Sequence, residues 1–279
     1  MLFDAQPFDV GWTRDRLPGR RIDWHSSIDS TMTAAARLAR EYCASGTIVG
    51  ADEQTGGIGR HGHSWHSEPG AGLYVSFVIR PPAGVIRPLD GVIRPLEGVI
   101  QPPAGNSALP LVMLALGLAA QEAIAQTGGL APDLRWPNDV LVSGMKCAGI
   151  LAQMEGDAIV AGIGINVGHL EFPEDIREIA TSLALAGARV RREDLLVALA
   201  RAIDEHIDIL KTKGSSTILD MFARASSYAM GRRVTVDQPG AVVEGITCGL
   251  DASGFLRVRQ DNGIETVILA GGVRPAGSS

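Results

Sequence analysis

Residues 52–65 read Asp-Glu-Gln-Thr-Gly-Gly-Ile-Gly-Arg-His-Gly-His-Ser-Trp, a glycine loop that also carries cationic and aromatic side chains. Glycine lets the backbone turn through positive φ and approach a ligand closely. Successive exposed backbone N–H groups form a concave anion site, and Arg60 adds charge-assisted hydrogen bonds to a carboxylate or phosphate. Trp65 closes the stretch with a flat apolar face. The pattern indicates a loop that folds over a small anionic ligand, although its glycine content alone fits a solvated surface loop equally well.

Three other stretches combine with the glycine loop. Residues 135–151 read Arg-Trp-Pro-Asn-Asp-Val-Leu-Val-Ser-Gly-Met-Lys-Cys-Ala-Gly-Ile-Leu, residues 162–167 read Gly-Ile-Gly-Ile-Asn-Val, and residues 29–31 read Asp-Ser-Thr. In this order and at these separations, the four motifs resemble the catalytic domain of biotin–protein ligases, from about Trp24 to the C-terminus. The resemblance implies an α+β fold of the class II aminoacyl-tRNA synthetase/biotin–lipoate ligase type, with a mixed or antiparallel sheet, helices and a small C-terminal SH3-like β-barrel.

Composition sets the broad class. The chain has 279 residues, 46% of them hydrophobic and 20% charged, which is enough for one large domain with a substantial core and a small second one. The formal net charge is −6 and no block of Lys and Arg stands out, which argues against nonspecific nucleic-acid binding. The longest apolar run, residues 108–120, is too short to span a bilayer and predicts a buried helix. We therefore expect neither nucleic acid nor a membrane as a partner.

The termini and cysteines bear on the compartment. The first residues lack a basic-then-apolar signal sequence. The three cysteines, Cys43, Cys147 and Cys248, are odd in number and lack metal-ligand spacing, which favours reduced thiols. Both observations predict a cytoplasmic protein. The sequence leaves its oligomeric state open between monomer and homodimer. Residues 1–23 are expected to be irregular and too short for a helix-turn-helix unit, which disfavours a repressor role.

Local patterns predict the elements of the large domain. Ser30 is a good N-cap for a helix over residues 31–42, with Gly46 as its stop. Hydrophobic runs and turn residues predict helices on one face of the sheet. The predicted helices are 109–126, 192–212 and 217–227, and the predicted strands are 47–51, 73–79, 134–136, 140–142, 146–154 and 158–165.

Residues 78–105 are four seven-residue units that each contain a proline and a glycine. These residues exclude a coiled coil despite the period of seven, and predict an expanded surface loop without a required function. After Tyr228 the pattern changes to short alternating segments separated by Pro-Gly, Ser-Gly and Asn-Gly turns. The sequence thus predicts a catalytic domain over residues 1–227 and an SH3-like domain over 228–279, with strands at 233–236, 241–250, 255–259 and 264–269.

The chemistry follows from the charged residues. Joining a carboxylic acid to a nucleotide requires cations and oriented N–H groups that neutralise the carboxylate and the α-phosphate together. Arg60 and Lys146 are the candidate catalytic cations. His61, His63 and His66 lie in or beside the glycine loop, but the lack of acidic or cysteine partners disfavours a metal site. The resemblance places His61 and His63 where basic residues are usual, which implies weak anion contacts for these two.

The resemblance implies roles for individual residues. Biotin contacts are implied for Ser30, Thr31, Met32, Gln54, Gly57, Ile58, Gly59, Arg60, Lys146 and Gly149. ATP contacts are implied for Arg60, His61, Trp65, Asn138, Asp139 and Asn166, with Asp139 also a candidate Mg²⁺ ligand. Three residues depart from the family pattern: Met32 replaces the usual Asn, Ile58 replaces the first Arg of the loop, and Arg135 stands where Lys is common.

The resemblance also implies a two-step reaction. Biotin and ATP, with Mg²⁺, give biotinyl-5′-adenylate and pyrophosphate, and a lysine of a biotin carboxyl carrier domain then accepts biotin and releases AMP. A lipoate– or octanoate–protein ligase is the alternative within enzymes, because it shares the fold and the adenylation chemistry. A non-catalytic biotin or adenylate sensor, degraded at Met32 and Ile58, is the alternative outside enzymes.

Overall fold

The computed structural model describes residues 7–62, 64–80, 109–238 and 240–277, without the side chain of His61. The helices are α1 (Val10–Arg16), α2 (Thr31–Arg40), α3 (Leu109–Gly128), α4 (Arg192–Lys213) and α5 (Ser215–Ala225), with a 3₁₀ turn at Arg60–Gly62. The strands of the first sheet are β1 (Ile22–His25), β2 (Ile48–Ala51), β3 (Gly72–Ile79), β4 (Asp133–Arg135), β5 (Asp139–Val142), β6 (Met145–Glu155) and β7 (Ala158–Asn166). Those of the second are β8 (Met230–Gln238), β9 (Ala241–Leu250), β10 (Leu256–Arg259), β11 (Glu265–Ile268) and β12 (Gly272–Pro275).

The first sheet has the strand order β1-β2-β3-β7-β6-β5-β4. Only the β1–β2 pair is parallel, and the other pairs are antiparallel. The predicted mixed sheet is therefore confirmed. The predicted Ser143-Gly144 hairpin turn is also present, with φ of 52° and 82°, and it connects β5 to β6.

The N-terminal segment is where the prediction of irregular structure was wrong. Asp9 caps α1 by accepting a hydrogen bond from the Trp12 N–H at 2.8 Å, and Ile22 pairs with Ile48 at the edge of the sheet. Both elements are short, so their local patterns are weak. β1 is held by this non-local pairing and by burial, because Ile22 is only 1% exposed.

Helices cover both faces of the sheet, so the prediction of helices on one face was wrong. Successive strand residues point to opposite faces. Ile48 and Phe77 pack into the large core with α3 and α4, whereas Val49 and Val78 pack into a second cluster with α2. The surface under α2 is therefore distinct from the main core, and it is the surface that carries the candidate site.

The ends of α2 separate a correct prediction from a wrong one. The Ser30 hydroxyl caps the helix by accepting from the Thr33 N–H at 3.5 Å, as predicted. The helix ends at Arg40, two residues before the predicted end, and Gly46 is not its stop. Its stop is Tyr42 at φ 56°, where the Cys43 N–H reaches the Leu38 carbonyl, the hydrogen-bond pattern of a Schellman motif. Tyr42 adopts the left-handed conformation that glycine usually takes, which the sequence did not signal.

Helix α3 is the long apolar helix expected from the sequence. By length and composition it could cross a membrane, but it packs against α4 and α5 and contributes ten buried residues to the protein core. The second sheet is antiparallel with the order β11-β10-β9-β8-β12, and β12 was not predicted. Its buried residues, including Val234 and Leu256, belong to the same core cluster as α3, so the two sheets share one apolar interior.

Candidate active site

The floor of the candidate site is a bare patch on the α2 face of three neighbouring strands. Gly149 on β6 lies opposite Gly164 on β7, and Gly162 lies opposite Ser76 on β3. Along the strands these four positions alternate with apolar residues whose side chains fill the main core. The four positions therefore lie on the opposite face of the sheet, toward α2. Because three of the four have no side chain, the sheet leaves a hollow at this place.

One wall of the hollow is the start of α2. The Thr31 backbone N–H and hydroxyl both donate to Gln54 Oε1, at 2.9 and 3.0 Å, and the Thr31 and Ser76 hydroxyls lie 2.9 Å apart. Ser30 and Met32 complete this wall. It offers uncharged hydrogen-bonding groups and one thioether, which suits a neutral polar portion of a ligand.

Trp65 covers the other half of the floor. A Cβ atom on Gly164 would lie 2.5 Å from Trp65 Cε2, and one on Gly149 would lie 2.8 Å from Cζ3, so the indole packs directly on both strands. The Trp65 backbone N–H donates to the Gly57 carbonyl at 2.9 Å, which closes the base of the glycine loop. The indole N–H is buried without a hydrogen-bond partner among the described residues. Its ring presents an aromatic surface at the pocket.

A charged cluster stands beside the indole. Asp139 is held by Lys146 Nζ at 2.6 Å and by Arg135 Nη2 at 2.7 Å. Burial alone would raise the pKa of Asp139, but Lys146 and Arg135 outweigh it and hold the pKa below its usual value. The carboxylate is therefore ionised, and the three charges sum to one net positive charge. Lys146 lines the pocket and lies 5.5 Å from the centre of the Trp65 ring.

Arg60 is the second cation at the pocket. Its Nη1 donates to Asn138 Oδ1 at 3.3 Å and to the Gly271 carbonyl at 3.1 Å. Burial lowers the pKa of Arg60, and the nearby Asp139 opposes that effect. An arginine remains protonated in proteins, so the guanidinium stays charged. Arg60 thereby joins the glycine loop to the β4–β5 turn and to the C-terminal sheet.

Most of the predicted site residues meet in this one pocket. Those that line it are Ser30, Thr31, Met32, Gln54, Ile58, Gly59, Arg60, Trp65, Asn138, Lys146 and Gly149. Gly57, at the base of the glycine loop, does not line the pocket, and an added Cβ there would press on Gln54 and Trp65. Asp139 sits in the ion-pair cluster, and the amide of Asn166 is buried and donates to the Thr181 carbonyl at 3.0 Å. The predictions for the His61 side chain, for His63 and for residues 81–105 of the repeat fall outside the described residues.

Comparison with known proteins decides the family. Residues 24–94 and 98–169, just over half of the chain, match the model of the biotin/lipoate A/B protein ligase family. The chain belongs to this family. Residues 229–273 match the model of the biotin protein ligase C-terminal domain. The family and fold class predicted from the sequence are confirmed.

The alignments with individual relatives extend over nearly the whole of this ligase-family chain. It is 31% identical to the biotin–[acetyl-CoA-carboxylase] ligase of Mycobacterium tuberculosis, over 95% of this chain and 94% of the relative. It is 29% identical to the bifunctional ligase/repressor BirA of Bacillus subtilis, over 92% of this chain and 75% of the relative. Among solved structures, biotin protein ligase from Aquifex aeolicus in complex with biotin and ATP matches with a TM-score of 0.74 and 28% identity, covering 91% of this chain and 97% of that one.

The sequence-based site of this family member omitted most of the pocket floor. Val75, Ile150, Leu151, Gly162, Ile163 and Gly164 line the pocket but were not predicted, nor was Ser76 behind Thr31. A signal for part of this set was present. Gly162 and Gly164 alternate with isoleucines in β7, and glycine at every second strand position leaves one face open.

Proposed function

We propose that this chain is an ATP-dependent biotin–protein ligase, which forms biotinyl-5′-adenylate and then transfers biotin to a lysine of a biotin carboxyl carrier domain. The observation that carries the proposal is that four separated motifs converge on one pocket, with a neutral hydrogen-bonding wall at one end and two cations at the other. The named relatives and the Aquifex aeolicus complex with biotin and ATP support the same substrates.

Each end of the pocket suits one substrate. The wall of Ser30, Thr31 and Gln54 suits the neutral ureido ring of biotin, because hydroxyls and an amide satisfy its donors and acceptors. Trp65 offers a surface on which an adenine can stack, and Asn138 can contact the same nucleotide. The biotin carboxylate and the α-phosphate would then meet between Arg60 and Lys146.

The first step needs charge neutralisation and proximity. A biotin carboxylate oxygen attacks the α-phosphorus of ATP, and the bond to the β,γ-pyrophosphate breaks. Lys146 and Arg60 offset the repulsion between the two anions and the charge that develops in the transition state. Asp139 holds Lys146 in position through the 2.6 Å ion pair, and Arg135 keeps that carboxylate paired.

The second step is an acyl transfer. The neutral ε-amine of the acceptor lysine attacks the carbonyl carbon of the mixed anhydride, the bond to the AMP oxygen breaks, and the amine loses a proton. The enzyme's contribution is to hold the adenylate and keep water away from it. The glycine loop carries this role, because Arg60 lies in it and links it to the C-terminal sheet.

A Mg²⁺ ion is part of the expected reaction through the phosphates of ATP, where it would neutralise phosphate charge. Direct coordination by Asp139 competes with its ion pairs, because Lys146 Nζ lies 2.6 Å from one carboxylate oxygen and Arg135 Nη2 lies 2.7 Å from the other. No carboxylate lines the pocket within the described part of the chain. The metal role assigned to Asp139 therefore stays a prediction that this charge pattern disfavours.

The domain boundary and the cellular setting belong to the same proposal. We assign residues 1–227 to the catalytic domain and 228–279 to an SH3-like C-terminal domain that packs on it, supported by the family match at residues 229–273. A carboxylase carrier domain as acceptor fits a cytoplasmic enzyme that acts as a monomer or homodimer, without nucleic acid or membrane as a partner. The family model also covers lipoate ligases, and the match of the C-terminal part to a biotin protein ligase domain favours biotin over lipoate.

Transfer to an acceptor tests the proposal. The protein is incubated with ATP, biotin and a purified biotin carboxyl carrier domain, and the mass of the domain is followed. A control domain has its acceptor lysine replaced by arginine. We expect one biotinyl group on the native domain and none on the control. Activity with lipoate or octanoate and none with biotin would move the chain to the lipoate branch, and tight biotin binding without transfer to any acceptor would favour a sensor.

A further inference from the structure

A short segment and a loop meet beside the pocket. His66 and Glu68 lie in the segment that connects the glycine loop to β3, and His169 lies in the loop that leaves β7. One ring nitrogen of His66, one of His169 and one carboxylate oxygen of Glu68 lie within 4.8 Å of one another. The sequence pattern missed this group because His169 is more than a hundred residues away from the other two.

The hydrogen bonds of His169 leave one of its nitrogens available. The Tyr74 hydroxyl donates its only hydrogen to the Glu68 carbonyl at 3.1 Å, so toward His169 Nε2, at 3.1 Å, it can only accept. In the tautomer that satisfies both contacts, Nε2 carries the ring proton and Nδ1 carries a lone pair. His169 is fully buried, and its Nδ1 has no hydrogen-bond partner in the part of the chain that the structure describes. A buried acceptor left unpaired is costly unless something binds it.

We propose that His66, Glu68 and His169 bind a divalent transition-metal ion of the Zn²⁺ class, with water as the fourth ligand. Two imidazoles and one carboxylate are a recurrent three-ligand set for Zn²⁺. Ligand atoms about 2 Å from a tetrahedral ion lie roughly 3.3 Å apart, so the group must contract by up to about 1.5 Å. The exposed Glu68 and the half-buried His66 can rotate to do so. Tyr74 supplies the outer hydrogen bond that orients a metal-binding histidine.

The ion would cross-link two parts of the active-site wall. Trp65 precedes His66, and Ser67 accepts a hydrogen bond from the Gln54 backbone N–H at 2.8 Å. Fixing this segment to the loop after β7 therefore holds both the indole and the Gln54 wall. None of the three ligands lines the pocket, so the ion acts as a structural link and not as a reactant.

Cobalt binding to tag-free, metal-stripped protein tests the proposal. Co²⁺ is titrated at neutral pH, its visible d–d absorption is recorded, and Zn²⁺ is then added to displace it. His66→Phe keeps an aromatic ring beside Phe172, which lies 6.2 Å away between ring centres, but removes the ligand nitrogen. Glu68→Gln removes the carboxylate charge at an exposed position. His25→Ala removes a histidine elsewhere and serves as the control.

We expect one Co²⁺ per chain, with a spectrum typical of four-coordinate nitrogen and oxygen ligands, and a rise in melting temperature when Zn²⁺ replaces EDTA. His66→Phe and Glu68→Gln should each weaken binding at least about tenfold, while His25→Ala should bind like the unaltered protein. The absence of a saturable Co²⁺ spectrum in the unaltered protein, or equal affinity in His66→Phe, would overturn the proposal. The two histidines would then be part of an aromatic packing cluster with Phe172. Metal content and spectra do not depend on ligase activity, so failure here is distinguishable from failure of the proposed function.

Discussion

Replacing Gly164 with alanine should damage the nucleotide half of the pocket selectively. The new Cβ would lie 2.5 Å from Trp65 Cε2, 2.7 Å from Cζ2 and 2.8 Å from Nε1. Carbon atoms pack comfortably at about 3.5 Å or more, so the indole must withdraw by roughly 1 Å. A displacement of this size in a substrate-positioning group can cost on the order of 10²-fold in rate. We expect a loss of that order in kcat/KM for ATP.

The same substitution should cost some stability. Overpacking a filled site costs about 1–3 kcal/mol, and the reduced freedom of the unfolded chain returns about 0.4–1 kcal/mol. The net loss of about 0–2.6 kcal/mol corresponds to a fall in melting temperature of up to about 10 °C for a chain of this size. Calorimetry or a thermal melt therefore shows whether the variant is folded at the assay temperature.

Gly162→Ala is the matched control, two residues away on the same strand. Its Cβ would lie 2.7 Å from Cγ and Sδ of Met32, a flexible side chain that can move aside. The effect should be smaller and should fall mainly on the KM for biotin. The kcat/KM for ATP and the KM for biotin are both measured by ATP–pyrophosphate exchange, with each substrate varied in turn. Equal losses for both substrates in Gly164→Ala, or a larger ATP effect in Gly162→Ala, would refute the division of the pocket.

Three further predictions concern single side chains. Lys146→Ala should lower the exchange rate by on the order of 10²–10³-fold, because it removes a cation from the reacting groups, and near-normal pyrophosphate release in a folded variant would remove Lys146 from the mechanism. Arg60→Gly should release biotinyl-adenylate into the medium, since the loop loses its contact with the Gly271 carbonyl; unchanged retention, measured by chromatography after filtration, would count against the assigned role of the loop. Burial raises the pKa of Cys147 to about 12, so its thiol stays protonated at pH 8 and mass spectrometry should find Cys43 alkylated first; equal labelling of both would contradict the packing around β6.

The walls of the pocket were predicted from short local motifs together with the family resemblance that these motifs carry. The helix N-terminus at Ser30, the loop around Arg60 and the hairpin that carries Lys146 each have a local chemical signature, and each lines the pocket. The large helices and the central strands followed from hydrophobic periodicity in the same way. Local pattern and tertiary structure agree at these places, as expected where burial and propensity favour the same conformation.

The features that could not be predicted from the sequence depend on contacts between residues that are distant in the chain or on backbone hydrogen bonds of the folded state. β1 forms because Ile22 pairs with Ile48. The end of α2 at Tyr42 is set by backbone hydrogen bonds, which cannot be predicted from a tyrosine at that position. The use of Asn166 to hold the Thr181 carbonyl also needed the folded chain, since fifteen residues separate the partners. The pocket floor was predictable only in part. The alternating glycines are visible in the sequence, but their position under Trp65 is not.

The most direct test of the central claim is acid-dependent ATP–pyrophosphate exchange, with biotin, lipoate and octanoate supplied separately and Lys146→Ala run beside the unaltered protein. We expect exchange with biotin, little with the other two acids, and its loss in the variant. Exchange only with lipoate or octanoate, or none with any acid from folded protein, would contradict the assignment of this pocket to biotin activation.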